Sequence, residues 1–188
     1  MPSLRLFIAI ETPSVIVPQI AAIRDELRES HAEVKWEPNE KLHATLKFLG
    51  ATDEGLLPEI VSYLRGVCRG SSPLQVRYKG VGCFPNIRAP RVIWVGMEEP
   101  AGELRRLHTE LDSGLNALGF TREEKDFHPH VTLGRVKSSR RINGLLRMME
   151  SITFGSQPVT VHDIALIQSE LKASGSVYTI LKSFPFGS

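Results

Sequence analysis

The feature that most constrains this chain is a short phrase that occurs twice, as HATL at residues 43–46 and as HVTL at residues 130–133. Both copies lie in apolar runs of strand length, and alternate side chains of a β-strand point to the same face. Each strand therefore presents an imidazole and a hydroxyl together on one face and apolar residues on the other. The pattern predicts a fold that brings two His–Thr faces together.

The two phrases belong to a longer repeat. The run 93–98 (IWVGME) matches 6–11 (LFIAIE), and Pro100 matches Pro13, at the same spacing of 87 residues that separates His130 from His43. Three matches at one spacing indicate an internal duplication. A pseudo-twofold relation between the two copies would direct both His–Thr faces into one groove.

Apolar periodicity predicts alternating strands and helices in each half. The expected strands are 5–11, 42–49, 74–79, 91–97, 158–168 and 176–184, the last two joined by a turn at 172–175. The expected helices begin at Pro13 (with Thr12 as N-cap), at Thr52, near residue 100 and near residue 141. We expect an α+β protein with two similar lobes of antiparallel sheet, outer helices and a central groove, as one bilobal catalytic domain over 1–188.

Composition narrows the class of protein. The chain has 188 residues, is 41% hydrophobic and 23% charged, and carries a net charge of +2, which suits an anionic substrate without a large nucleic-acid footprint. No apolar run approaches the roughly 20 residues that span a bilayer, and no signal peptide is recognisable. We expect a cytoplasmic monomer.

Three single side chains are predicted to be buried. Cys68 and Cys83 fit no redox or zinc spacing, so we expect buried free thiols, and we expect His108 to pack in the core.

Two facing imidazoles make an acid–base pair, because a neutral histidine accepts a proton and its charged form donates one near neutral pH. In-line displacement at phosphorus needs one proton moved on each side. Thr45 and Thr132 would donate hydrogen bonds to the non-bridging oxygens. No glycine-rich phosphate loop or nucleophile signature occurs, so we expect water or a substrate hydroxyl as nucleophile. Nothing in this chemistry requires a metal and no carboxylate or thiolate lies beside the motif histidines, so we expect no metal or cofactor.

The segments 43–50 (HATLKFLG) and 127–135 (FHPHVTLGR) resemble the paired motifs of the two-histidine phosphoesterase superfamily, and within it the RNA 2′,3′-cyclic phosphodiesterases, also called 2′-5′ RNA ligases. The resemblance extends to FIA at 7–9, GCFP at 82–85 and PRVIWVG at 90–96. It implies a bilobal sheet, no metal, and hydrolysis of a terminal 2′,3′-cyclic phosphate to a 2′-phosphate. It also implies that His43 is the proton donor and His130 the acceptor, roles that residue spacing alone leaves open.

Four flanking residues are predicted to bind substrate. Family members with an arginine at the position of Arg135 use it on the phosphate, but strict strand parity turns Arg135 away from Thr132, so a bend or bulge at Gly134 is required. Lys47 shares parity with the first histidine and is predicted to be a cation at the groove rim. Phe84 and Trp36 are predicted to stack a nucleobase, with core or loop packing as the alternative for both.

Other functions compete with this prediction. His43, His128 and His130 could form a three-histidine metal site of a hydrolase, which would leave the threonines and the duplication unexplained. A non-catalytic module that binds RNA or nucleotides is a second alternative. A minor reverse reaction, 2′-5′ ligation, is also compatible with the site. The expected partners are RNA ends or cyclic nucleotides.

Overall fold

The computed structural model describes residues 3–173 and 175–187, which form one curled antiparallel sheet and four α-helices. The strands are β1 (Ser3–Glu11), β2 (Val34–Trp36), β3 (His43–Asp53), β4 (Leu74–Phe84), β5 (Val92–Glu98), β6 (His130–Val136), β7 (Val159–Val161), β8 (Asp163–Lys172) and β9 (Gly175–Pro185). The helices are α1 (Val17–Arg28), α2 (Leu57–Arg69), α3 (Glu103–Ala117) and α4 (Ile142–Ser151).

The strand order shows the predicted duplication. The sheet runs β7-β4-β5-β6-β3-β1-β8-β9, and β2 pairs with the side of β6. Its two halves, β7-β4-β5-β6 and β3-β1-β8-β9, meet at the single residue pair Ala44 and Val131, which occupy equivalent positions of the repeat. Each half of the sheet contains strands from both halves of the chain. Strand β4, from the first half of the chain, pairs with β5, and β8, from the second half, pairs with β1. The predicted fold class is confirmed.

The main apolar core lies on the helix-covered face of the sheet. Ile20 and Leu27 of α1, and Leu107 and Leu111 of α3, belong to one buried cluster with strand residues such as Ile8. The opposite face, here called the inner face, carries a small buried cluster of four residues. These are Phe7, Ala9, Ala165 and Ile167. Helices thus cover one face of the sheet, and the inner face of the strands is the one that carries the predicted groove residues.

Two predicted helix starts are wrong. Helix α1 begins at Val17 because the carbonyl of Pro13 accepts the N–H groups of Ile16 and Val17 in a preceding turn. Helix α2 begins at Leu57 because β3 continues past Gly50 to Asp53, paired throughout with β1. A 3₁₀ turn, Glu54–Leu56, then intervenes. Periodicity located both helices, whereas the turn after Pro13 sets where α1 begins and the length of β3 sets where α2 begins.

Other predictions concern single side chains and short segments. His108 is buried on α3 and stacks on Phe127 with ring centroids 4.0 Å apart, as the core prediction requires. Both cysteines are buried and free. The predicted strand 158–168 is divided at His162 into β7 and β8, and Ser174 of the predicted turn lies outside the described residues. Of the helices described, none is long and apolar enough to cross a membrane.

Candidate active site

The two His-x-Thr strands lie side by side at the centre of the sheet. Because β3 and β6 are antiparallel and Ala44 pairs with Val131, His43 lies beside Thr132 and Thr45 lies beside His130. The four side chains are partly exposed on the inner face, whereas the alternate residues of both strands are buried on the helix face. The two imidazoles therefore occupy diagonally opposite corners of a four-residue arrangement, with a hydroxyl at each remaining corner.

Each imidazole is held by the same backbone contact. His43 Nδ1 lies 2.7 Å from the carbonyl oxygen of Lys41, and His130 Nδ1 lies 2.6 Å from that of His128. A carbonyl only accepts hydrogen bonds, so Nδ1 carries the proton in both rings and donates. Nε2 is then an acceptor in the neutral ring and a donor in the charged ring. Both copies of the repeat thus use Nδ1 for the backbone contact and leave Nε2 as the nitrogen that can accept or donate a proton.

Aromatic rings line the groove beside both histidines. The ring centroid of His43 lies 5.0 Å from that of Phe7 and 5.4 Å from that of Tyr178. The centroid of His130 lies 4.9 Å from that of Phe84. Trp94, which lies 87 residues after Phe7, is the more distant neighbour of His130 at 6.2 Å. These apolar walls remove water from both imidazoles.

That environment disfavours the charged form of each histidine. Burial lowers the pKa of His43 to about 4, and the positive charges of His130 and Arg135 act in the same direction. Burial also lowers the pKa of His130, with His128 and Arg135 adding to the effect. The backbone hydrogen bonds oppose these shifts in both rings. In the free protein both imidazoles are therefore neutral at pH 7.

A β-bulge turns Arg135 into the groove. Gly134 pairs with Ile93 and Thr132 pairs with Trp94, so Leu133 is an extra residue on β6 and the strand parity reverses. The side chain of Arg135 is 54% exposed on the inner face, close enough to both catalytic candidates to lower their pKa. The bend that the position of Arg135 required is confirmed.

A matching bulge lies in β3. Lys47 pairs with Ile8 and Thr45 pairs with Ala9, so Leu46 is the extra residue. This bulge presents Phe48, 63% exposed and 6.1 Å from Phe7 between ring centroids, at the position equivalent to Arg135. The two copies of the repeat therefore deliver an aromatic ring and a guanidinium to equivalent places.

The same bulge makes the prediction for Lys47 wrong. Its side chain is 1% exposed and lies on the helix face of the sheet, not at the groove rim. The ammonium is 2.5 Å from Asp112 Oδ1 and 2.6 Å from the carbonyl oxygen of Thr121. Lys47 thus joins β3 to α3 and to the chain that leads into β6.

The two aromatic residues predicted to stack a base differ in position. Trp36 pairs with Gly134, and a Cβ atom added at this glycine would lie 2.9 Å from Trp36 Cε3, with Val34 Cγ1 at 2.7 Å on the same side. Trp36 therefore packs against the core, which was the alternative given for it, and its stacking on a base stays a prediction. Phe84 lies in the groove against His130, where base stacking stays a prediction.

The groove residues that were not predicted include Phe48, Glu37 and Tyr178. Phe48 could have been found from the repeat, because it precedes Arg135 by 87 residues. Glu37 lies two residues after Lys35, which pairs with Arg135, and so shares the inner face with both. Oε1 of Glu37 lies 3.8 Å from Nε of Arg135. Tyr178 comes from the distant strand β9, and no sequence signal connects it with the motifs.

The metal alternative finds no support in the geometry. Within residues 3–173 and 175–187 there is no group of three or more His, Cys, Asp or Glu side chains that could hold a metal ion. The ring centroids of His128 and His130 are 6.3 Å apart, and His128 packs on Trp94 instead.

A curled sheet duplicated about two His-x-Thr strands is the architecture of the two-histidine phosphoesterases, and comparison with known proteins agrees with it. The chain belongs to the 2′-5′ RNA ligase superfamily, whose model matches residues 12–173. The RNA 2′,3′-cyclic phosphodiesterase of Methanothermobacter thermautotrophicus is 36% identical, over 96% of this chain and 97% of that protein. The Archaeoglobus fulgidus protein of the same name is 38% identical, over 96% of this chain and 99% of its own length.

Solved structures share the whole fold. A crystal structure of a Thermus thermophilus protein superposes with a TM-score of 0.82 at 29% identity, covering 98% of this chain and 99% of that one. Escherichia coli LigT in complex with NADP⁺ superposes with a TM-score of 0.75 at 27% identity, covering 99% of both chains. These matches extend over both halves of the duplicated sheet.

Proposed function

We propose that this protein hydrolyses the terminal 2′,3′-cyclic phosphate of RNA to a 2′-phosphate. The observation that carries the proposal is the arrangement of His43 and His130 at opposite corners of one groove, each with Nδ1 bonded to a backbone carbonyl and Nε2 left for proton transfer. The names of the relatives support this substrate, and LigT has been crystallised with NADP⁺.

The proposed reaction moves two protons. A neutral imidazole takes a proton from water as the water oxygen bonds to phosphorus, in line with the departing O3′. The charged imidazole gives its proton to O3′ as the P–O3′ bond breaks, which leaves the phosphate on O2′. Thr45, Thr132 and Arg135 donate hydrogen bonds to the non-bridging oxygens, where negative charge increases in the transition state.

The family resemblance makes His43 the proton donor and His130 the acceptor. Because burial lowers the pKa of His43 to about 4 in the free protein, this donor role requires the bound anionic diester to raise that pKa. A diester with a nitrophenolate leaving group needs no proton on departure. The variant His43→Ala should therefore retain its rate on such a diester while losing its rate on the cyclic phosphate. Loss of both rates would make His43 the acceptor.

The decisive experiment uses an oligoribonucleotide that ends in a 2′,3′-cyclic phosphate, with identification of the product isomer. We expect a 2′-phosphate, and a rate that EDTA leaves unchanged. A 3′-phosphate product would contradict the proposed leaving group. Loss of the rate on chelation, with recovery on adding zinc, would favour the metal alternative, and binding without turnover would favour the non-catalytic module.

Ligation is expected to remain a minor activity. The same groups could join a 5′-hydroxyl to the cyclic phosphate in a 2′-5′ linkage. Water at roughly 55 M competes with dilute RNA ends in a groove open to solvent, so hydrolysis should dominate. Adding an acceptor RNA with a 5′-hydroxyl to the same assay measures the ratio of the two products.

A further inference from the structure

Glu37 places a carboxylate in a groove that is proposed to bind an anion. Its side chain is 15% exposed, and Oε1 lies 3.8 Å from Nε of Arg135. Burial raises the pKa of Tyr178, and the charge of Glu37 raises it further. The ring of Tyr178 in turn contacts that of His43. A carboxylate in this place repels a phosphate, so its presence needs a specific reason.

The backbone of Glu37 is fixed on both sides. Its N–H donates to the carbonyl of Leu133, the extra residue of the β6 bulge, at 2.8 Å. Its own carbonyl accepts a hydrogen bond of 2.9 Å from Nη1 of Arg24, a buried guanidinium that also donates to Asn39 Oδ1. The carboxylate therefore projects from a backbone that is attached directly to the strand carrying Arg135.

Arg135 lacks such support of its own. Its side chain is 54% exposed, and within the described residues its guanidinium makes no hydrogen bond. A long exposed side chain populates several rotamers, and each of these aims the five N–H donors differently. Within the described residues, the carboxylate that forms an ion pair with Arg135 is that of Glu37.

We propose that Glu37 is a positioning residue for Arg135: its carboxylate attracts the Nε side of the guanidinium, so that the Nη donors point at the phosphate between the histidines. This inference rests on the proposed function. The 3.8 Å separation is an ion pair without a hydrogen bond, so it restricts the guanidinium without occupying its donors. Misplacement of a catalytic group by about 1 Å is enough to lower a rate by up to roughly 10²-fold.

A simple repulsive role makes the opposite prediction. If Glu37 acted only as a negative charge, Glu37→Gln would improve the binding of an anionic substrate, and it would do so whether or not Arg135 was present. If Glu37 acts through Arg135, removal of its charge lowers kcat, and the effect disappears once Arg135 is gone. A double-mutant cycle separates the two roles.

The test measures kcat and KM on the cyclic-phosphate oligonucleotide for wild type, Glu37→Gln, Arg135→Ala and the double variant. We expect Glu37→Gln to lower kcat about tenfold without raising KM, and to have no further effect in the Arg135→Ala background. Glu40→Gln is the matched control, because Glu40 is an exposed carboxylate three residues away that makes no contact with Arg135. It should change neither constant by more than about twofold.

The outcomes are distinct. A kcat unchanged in Glu37→Gln, or a loss of which more than half persists without Arg135, overturns the inference. Glu37→Asp provides a second variant should the glutamine variant fail to fold: it keeps the charge but withdraws it by one methylene, so kcat should fall while an unchanged kcat overturns the inference. Wild-type protein without turnover overturns the proposed function and this inference together, whereas turnover with an additive cycle overturns this inference alone.

Discussion

His43 and His130 lie between aromatic walls that favour their neutral forms, yet the proposed reaction needs one of them charged. Each is proposed to move a proton, and such roles contribute roughly 10²- to 10⁴-fold to a rate. Alanine at either position should therefore lower kcat by about that factor. His162→Ala, at an exposed histidine outside the motifs, is the control and should turn over at the wild-type rate. Either folded motif variant that keeps more than about a tenth of kcat contradicts the acid–base assignment.

The lowered histidine pKa values predict an acidic optimum for kcat/KM. The competent free enzyme has one imidazole charged and the other neutral, but both pKa values lie below the ordinary 6.5, because burial disfavours the charged form. At any pH well above these pKa values, the fraction of enzyme with one charged and one neutral imidazole falls about tenfold per pH unit, because the neutral pair must gain one proton. We therefore expect kcat/KM to rise as the pH is lowered from 8 to 6. A profile that is flat, or that rises between pH 7 and 9, would refute this.

Lys47 should matter to stability rather than to substrate binding. Lys47→Met leaves Asp112, of which 14% is exposed, without its buried partner, and such a change costs about 3 kcal/mol of unfolding free energy. Denaturant unfolding and KM are measured together. Lys79→Met, which breaks an exposed pair with Glu98 at 3.7 Å, should change stability by less than about 1 kcal/mol. A raised KM with unchanged stability would contradict this expectation and support the sequence-based prediction that Lys47 binds substrate.

At the scale of the element, the β-bulges decide which side chains reach the groove. Strict alternation along a strand predicts His43 with Thr45 and His130 with Thr132, and both pairs share the inner face as predicted. Beyond each threonine, the alternation of side chains between the two faces fails because each strand carries an extra residue, Leu46 in β3 and Leu133 in β6. A bulge shows itself in the pairing with the neighbouring strand, and a single strand's sequence contains only a hint of it. Gly134 was that hint in β6, and β3 offered none.

Gly134 permits its bulge because it has no side chain. A Cβ atom here would lie 2.7 Å from Val34 Cγ1, so Gly134→Ala must push β2 away, and we expect a loss of about 1–3 kcal/mol of stability. Because β2 leads directly into Glu37, kcat should fall as well. Gly144→Ala in α4 is the matched control: its added methyl has only Ser30 O near, at 4.0 Å, and it should be neutral or stabilising. A fully stable and active Gly134→Ala would show that the bulge does not depend on this glycine.

At the scale of the molecule, duplication explains why so much of the fold could be predicted. One spacing of 87 residues relates the motif strands, and the structure places the equivalent residues Ala44 and Val131 against each other where the halves meet. Of the groove residues that were not predicted, Phe48 has an equivalent at that spacing in Arg135, whereas Glu37 and Tyr178 lie outside the matched segments, after β2 and in β9. Their places depend on how β2 and β9 attach to the duplicated sheet, which is a tertiary property.

The distribution of charge and aromatic surface over the whole groove predicts weak base selectivity. The aromatic rings of the groove, among them the exposed Phe48 and the Phe84 ring beside His130, offer stacking surfaces, and stacking tolerates any base because every base has a π-face. With a net charge of only +2, the long-range field is also weak. We therefore expect kcat/KM for the four 2′,3′-cyclic mononucleotides to differ by less than about 100-fold, or about 2.7 kcal/mol.

Ionic strength separates the contacts with further phosphates of a longer RNA from the reaction at the terminal cyclic phosphate. We expect the further phosphates of a longer RNA to contact exposed cations such as Arg88 and Arg91, between β4 and β5. Added salt screens such contacts, so the advantage of the longer RNA over a mononucleotide should shrink as salt increases. The chemical step takes place in a partly buried site, and kcat should change little. Measuring kcat and KM for each mononucleotide and for one oligonucleotide, at low and high salt, tests both expectations. A single base preferred by more than about 100-fold would contradict this expectation and would require a hydrogen-bonding pocket for that base.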